Sequence, residues 1–195
     1  MAQLDRKRPD HFAKRAKAEG YAARSVYKLA EIDRRYRVLD RVRRVVDLGS
    51  HPGSWSALVR EKNPHAVLVG VDLEETPRYP GTQLVGSVAT VDPAELERLL
   101  GGRADLVLSD MAPNTTGARL KDHVDQLELV REAWRITRAV LTPGGTFVTK
   151  VFDGEDAPPL LDELRRSFDT FKRVRPEATR KDSRELFAVG LGFRA

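Results

Sequence analysis

The stretch RRVVDLGSHPGSWS, residues 43–56, constrains the fold of this chain more than any other. Val45 and Val46 end an apolar run, Asp47 closes it, Gly49 and Gly53 bracket a short loop around Pro52, and Ser54 is a suitable cap for a following helix. Strand, glycine loop and helix start, in that order, predict the first βα turn of an open α/β sheet. There glycines admit a ligand to the backbone and a helix offers its free N–H groups. The loop has neither the G-x-G-x-x-G spacing of a dinucleotide fingerprint nor the G-K-[ST] ending of a P-loop, so a pyrophosphate is not the expected guest. A plain surface turn has the same outline, and the loop alone leaves both readings open.

The rest of the chain repeats the alternation. Apolar runs at 43–48, 66–71, 83–85, 104–109 and 146–151 predict strands, and periodic segments at 22–37, 55–62, 92–100, 125–140 and 158–168 predict helices. Asp92 with Pro93 and the Gly101-Gly102 pair punctuate one of these helices, and Thr142-Pro-Gly-Gly is read as the stop of the longest. Residues 171–174 and 186–192 complete the sheet as an antiparallel pair, joined by a basic, flexible link at 175–184. The fold class is therefore α/β, doubly wound and Rossmann-like, with a mostly parallel sheet. At 195 residues the chain suits one domain over 21–195, preceded by a basic, flexible segment over 1–20 that has only Phe12 to bury and is expected to add nothing to the core. With no cysteine and four scattered histidines, no disulfide, thiolate site or metal cluster is expected. The start, MAQLDRKRPD, has no apolar targeting region and no run reaches the roughly 18 apolar residues of a membrane span, so a cytoplasmic protein is expected.

Charge is segregated. Residues 1–44 carry 14 Lys/Arg against 6 Asp/Glu and residues 165–184 carry 8 against 3, whereas residues 45–164 carry 11 against 19. Basic ends on an acidic body point to a polyanion footprint, a nucleic acid, set apart from a site for a smaller ligand. Asp47, Asp72, Asp110 and Lys150 all fall at the carboxyl ends of predicted strands, where such folds bind ligands. Asp72, about 20 residues past the glycine loop, is placed to accept ribose hydroxyls. An acid ahead of the glycines favours a cationic or hydroxyl-rich ligand, and S-adenosylmethionine, with its amine, ribose and sulfonium, meets that demand. Lys150 is the sharper anomaly, a charge in the apolar strand TFVTKVF, where burial can make a lysine a base.

Taken together, DLGSHPGSWS, SDMAPNTTG, GGTFVTKVFDG and SRELFAVG resemble the FtsJ-type ribosomal RNA large-subunit methyltransferases, from about residue 10 to the end of the chain. The resemblance implies transfer of a methyl group from S-adenosylmethionine to a ribose 2′-hydroxyl, with a uridine of 23S rRNA in the large ribosomal subunit as target and a monomer as the acting form. It implies a Lys-Asp-Lys-Glu tetrad at Lys28, Asp110, Lys150 and Glu185. Lys150 would orient and deprotonate the hydroxyl, Asp110 bridge cofactor and lysine, Glu185 hold the lysine ammonium, and Lys28 bind the substrate phosphate or ribose. Cofactor contacts carry over to Gly53, Trp55, Asp72 and Asp110. Two departures stand out: Ser87 occupies the position where the family often has an aspartate beside the adenine, and His51 replaces a usually small residue in the glycine loop. Two other functions share these residues, a 2′-O-methyltransferase acting on tRNA or an mRNA cap and a non-catalytic RNA-binding ribosome assembly factor.

Overall fold

Strands that are apolar on both faces can only be satisfied by layers on both sides of a sheet. In the computed structural model, which describes residues 11–113, 117–154, 156–180 and 183–194, four such runs, a short half-exposed edge strand and a C-terminal pair form one sheet. The strands are β1 (Arg44–Leu48), β2 (Val67–Asp72), β3 (Thr82–Val85), β4 (Ala104–Ser109), β5 (Leu141–Phe152), β6 (Phe168–Val174) and β7 (Glu185–Phe193), in the spatial order β3-β2-β1-β4-β5-β7-β6. Only β7 runs against its neighbours, pairing antiparallel with β5 and β6. The helices are α1 (His11–Ala18), α2 (Val26–Tyr36), α3 (Ser54–Lys62), α4 (Pro93–Leu100), α5 (Arg119–Val140) and α6 (Ala157–Arg166).

Period-2 alternation sorts the strand side chains between two cores. Val45, Leu68, Leu106, Leu108 and Val148 pack with Leu29, Ile32 and Leu58 of α2 and α3. Val46, Val69, Val107 and Phe147 pack with Leu96, Trp134 and Leu164 of α4, α5 and α6 on the other face. Each fully buried side chain contributes about 1.5–3 kcal/mol relative to exposure. Among the described residues, no helix is long and apolar enough to cross a membrane.

Four local differences from the sequence reading have physical causes. Residues 11–18, expected to stay outside the core, form α1. Ala16 is buried and the Phe12 ring packs 5.6 Å from that of Tyr27, whose hydroxyl donates to Glu19. Residues 1–10 lie outside the described residues. Ser54 is the first residue of α3 and not its cap. Gly53 takes the cap position at φ 89°, and the Ser54 hydroxyl instead accepts the Ala23 N–H at 2.7 Å, tying α3 to the entrance of α2. Helix α5 begins six residues earlier than expected, at Arg119, with Asp122 in its first turn accepting the Gly117 N–H. Thr142-Pro-Gly-Gly does not separate helix from strand. β5 begins at Leu141, opposite Ala104, and a register shift between Ala104 and Leu106 absorbs the extra residues.

The 175–184 link, expected to be flexible, is docked where it is described. Buried Glu31 accepts the Glu177 N–H at 2.7 Å, the Ala178 carbonyl accepts from Arg24, and Ala178 and Thr179 are buried. Residues 181–182 of the link, and 114–116 of the loop after Asp110, lie outside the described residues.

Candidate active site

The strand order reverses direction between β1 and β4, so the loops that follow these strands diverge and leave a crevice. The two loops touch at its base. Gly49, at φ 77°, leaves no space for a side chain, since a Cβ there would sit 2.7 Å from the Met111 side chain and 3.0 Å from its backbone. Above this contact opens a cavity of about 340 Å³. Gly49, Asp72, Asp110 and Met111 line it near the switch point, and Ser87, Val88, Leu129 and Glu132 line its far end.

Lys150 sits beside the crevice at the end of β5, 6% exposed. Its ammonium donates to the Asp110 carbonyl at 2.6 Å and to Asp110 Oδ1 at 3.0 Å. Lys28 reaches the same strand end from α2 and pairs with Glu185 Oε1 at 2.5 Å. The four tetrad positions therefore assemble as two ion pairs, and Glu185 holds Lys28, whereas the sequence reading had it holding the Lys150 ammonium. Lys150 lies opposite Phe187 and Glu185 opposite Phe152, on the same face but one pair further toward the strand end, where Lys28 of α2 reaches the carboxylate. Phe187 forms the floor between the pairs, its ring 5.8 Å from Lys28 Nζ and 5.7 Å from the Trp55 ring.

The expected cofactor contacts divide into two groups. Asp72 and Ser87 line the cavity. Asp72 also shapes the loops, its Oδ2 accepting the His51 N–H at 2.8 Å and its Oδ1 the Glu74 N–H at 3.0 Å. Gly53 and Trp55 stand at the start of α3, where the Trp55 side chain is 3% exposed and turned into the core, its indole N–H donating to the Ser25 carbonyl at 2.9 Å. A ligand contact from Trp55 has to come through its backbone, while the side chain fixes the start of α2 and thereby the approach of Lys28. His51 points along the rim, its Nε2 3.7 Å from Glu74 Oε2.

Asp47 lies beneath the glycine loop, 2% exposed. Ser56 donates to its Oδ2 at 2.6 Å and in turn meets the Tyr79 hydroxyl at 2.5 Å. Burial pushes the Asp47 carboxyl up to about 7, and the negative charges of Asp110 and Asp72 push in the same direction against the Ser56 hydrogen bond. A site that crowds carboxylates in this way favours a cation. Its far walls, Val88 and Leu129, are apolar. A sulfonium or ammonium at one end and a flat heterocycle at the other fit these residues, as S-adenosylmethionine requires.

Gln126 and Glu132 of α5 escaped sequence reasoning. Gln126, 1% exposed, donates to the Lys150 carbonyl at 3.0 Å and the Met111 carbonyl at 3.3 Å, tying the Asp110 loop to β5. Its signal in the sequence was a lone amide on the face of α5 that also carries buried Leu127 and Val130.

Comparison with known proteins places this geometry in a family. A family model for FtsJ-like methyltransferases matches residues 21–193. The chain is 42% identical over 193 residues to the ribosomal RNA large subunit methyltransferase E of Rhizorhabdus wittichii, covering 98% of this chain and 84% of that protein. It is 40% identical over 189 residues to the protein of the same name from Methanothrix thermoacetophila, covering 96% and 74%. In fold it is similar to a Plasmodium falciparum protein described as a ribosomal RNA methyltransferase, with a TM-score of 0.79 at 24% identity, covering 89% of this chain and 98% of that one. It is also similar to an O-methyltransferase family protein of Burkholderia thailandensis, with a TM-score of 0.58 at 16% identity, covering 88% and 57%. The match to the family model across nearly the whole sheet, and relatives aligned over almost all of the chain, show that this chain belongs to the FtsJ-like methyltransferase family.

Proposed function

We propose that this chain transfers a methyl group from S-adenosylmethionine to a ribose 2′-hydroxyl of RNA, with a uridine of 23S rRNA in the large ribosomal subunit as target. The observation that carries this reading is the buried Lys150 ammonium, held by Asp110 at the edge of the cavity and accompanied by the Lys28–Glu185 pair. The names of the relatives support the RNA substrate. The family match over 21–193 supports one methyltransferase domain over 21–195, and this reading includes a monomer in the cytoplasm as the acting form.

A ribose hydroxyl is a weak nucleophile. It has to be aligned with the electrophile and relieved of its proton as the new bond forms. S-adenosylmethionine, when bound, supplies a methyl group on a sulfonium. Asp72 would receive the ribose hydroxyls of the cofactor, and Asp110 and Asp72, which line the cavity, would favour its positive charge. Gly53 and the backbone of Trp55 border the loop that holds it, and Ser87 stands at the adenine end. Lys150 orients the substrate 2′-hydroxyl and, after its ammonium has released a proton to solvent, takes the hydroxyl proton as the neutral amine, while Asp110 fixes the nitrogen in position. Lys28, held by Glu185, meets the substrate phosphate or ribose.

Substituting Lys150 tests this. Lys150→Ala should reduce single-turnover methylation of large-subunit RNA by about 10²–10⁴-fold while leaving cofactor affinity nearly intact. Lys150→Arg should not rescue transfer, because a guanidinium does not give up its proton near neutral pH. Substantial activity in the arginine variant would show that charge and position suffice and would remove the base role.

A further inference from the structure

Ser87 supplies no charge at the adenine end of the cavity, and its hydroxyl is already committed to a local turn, accepting the Ala89 N–H at 3.3 Å. The backbone acceptors beside it are also engaged. The Ser87 carbonyl accepts from Thr90 N–H and Oγ1 at 3.1 Å each, and the Val88 and Ala89 carbonyls accept from Arg135 Nη2 at 2.9 and 3.3 Å. The same guanidinium grips Glu132, its Nε 2.9 Å from Oε2. Arg135 therefore clamps a carboxylate of α5 to the loop after β3, on the wall of the cavity that Ser87, Val88 and Leu129 share. Glu132 Oε1 has no partner among the described residues, and the side chain is 34% exposed, open to the cavity.

We infer that Glu132 recognises the adenine of the cofactor by accepting a hydrogen bond from its 6-amino group through Oε1. This rests on the proposed use of S-adenosylmethionine. The methyl must lie near Lys150 and Asp110 and the ribose at Asp72, which leaves the far end, with its apolar Val88 and Leu129 walls, for the base. An exocyclic amine needs an acceptor there, and Glu132 is the acid at that end. Arg135 holds the carboxylate in place, so little side-chain freedom is lost on binding. A 6-oxo base presents an acceptor at this position and would face the carboxylate with repulsion.

Calorimetry on the full chain with S-adenosylhomocysteine and with S-inosylhomocysteine, its 6-oxo counterpart, tests the inference without a turnover measurement. The unaltered chain should prefer the adenine ligand by about ten- to a hundredfold, the difference made by one hydrogen bond to a charged group. In Glu132→Leu the preference should fall to within about twofold through weaker binding of the adenine ligand, and Glu132→Gln should retain part of it through its amide oxygen. Thermal unfolding of both variants checks that the domain is intact. A preference unchanged in Glu132→Leu, or an equal loss for both ligands in both variants, overturns the role of Glu132 and leaves cofactor use standing. An unaltered chain that binds neither ligand overturns the reading on which the inference rests, and the inference with it.

Discussion

Asp47→Asn measures how strongly the fold is strained to hold a carboxylate under the glycine loop. Burial raises the Asp47 carboxyl from an ordinary 3.8 to about 7. At about 1.4 kcal/mol per unit of pH, ionising it in the folded protein costs about 4 kcal/mol. In the unfolded chain Asp47 loses its proton near pH 4, and in the folded chain near pH 7. Between those values the folded state binds the extra proton, so the contribution of Asp47 to wild-type stability declines as pH rises through this window and is level on either side. Asparagine keeps an oxygen for the Ser56 hydroxyl and cannot ionise, but its amide needs an acceptor, which costs about 1–3 kcal/mol at every pH. The stability of the variant relative to wild type should therefore climb by about 4 kcal/mol between pH 4 and pH 8, worth roughly 8–16 °C in melting temperature for a domain of this size. Urea unfolding at closely spaced pH values reads the difference directly. Parallel stability curves would refute the reasoning, because they would mean that Asp47 titrates alike in the folded and unfolded states.

Asp72→Ala should weaken S-adenosylmethionine binding by more than about tenfold, since it removes the ribose acceptor and releases the His51 and Glu74 amides; unchanged affinity in calorimetry would take Asp72 out of the site. RNA affinity should fall steeply with salt, and deleting residues 1–20 should flatten that dependence while sparing cofactor binding. A full slope after the deletion would move the RNA footprint elsewhere.

Much of this architecture was legible in local chemistry. Asp92, Pro93 and Gly101 punctuate α4 as expected, with Asp92 accepting the Ala94 N–H at the helix start. The apolar runs gave the parallel strands and Leu186 to Gly192 lay within β7. Long-range contacts were less visible. The pairing of Glu185 with Lys28 depends on the register of β7 against β5, which no local pattern sets. Trp55 came in as a ligand contact through the resemblance, and nothing local showed that its indole packs in the core against Phe187 and leaves its backbone for that role. Residues 11–18 read as solvated because charge dominates them, although one alanine and one phenylalanine were enough to dock α1. Glu132 was indistinguishable from the other charges of α5, since its distinction comes from Arg135 and from a loop more than 40 residues away.

The most direct test of the central claim is the position of the methyl group. Large-subunit RNA, free and within subunits lacking the modification, would be incubated with the chain and S-adenosylmethionine, digested, and mapped by mass spectrometry. The proposed function predicts one new 2′-O-methyl group on a uridine of 23S rRNA, absent with Lys150→Ala. A methyl group on a base, or none on either substrate, would contradict it.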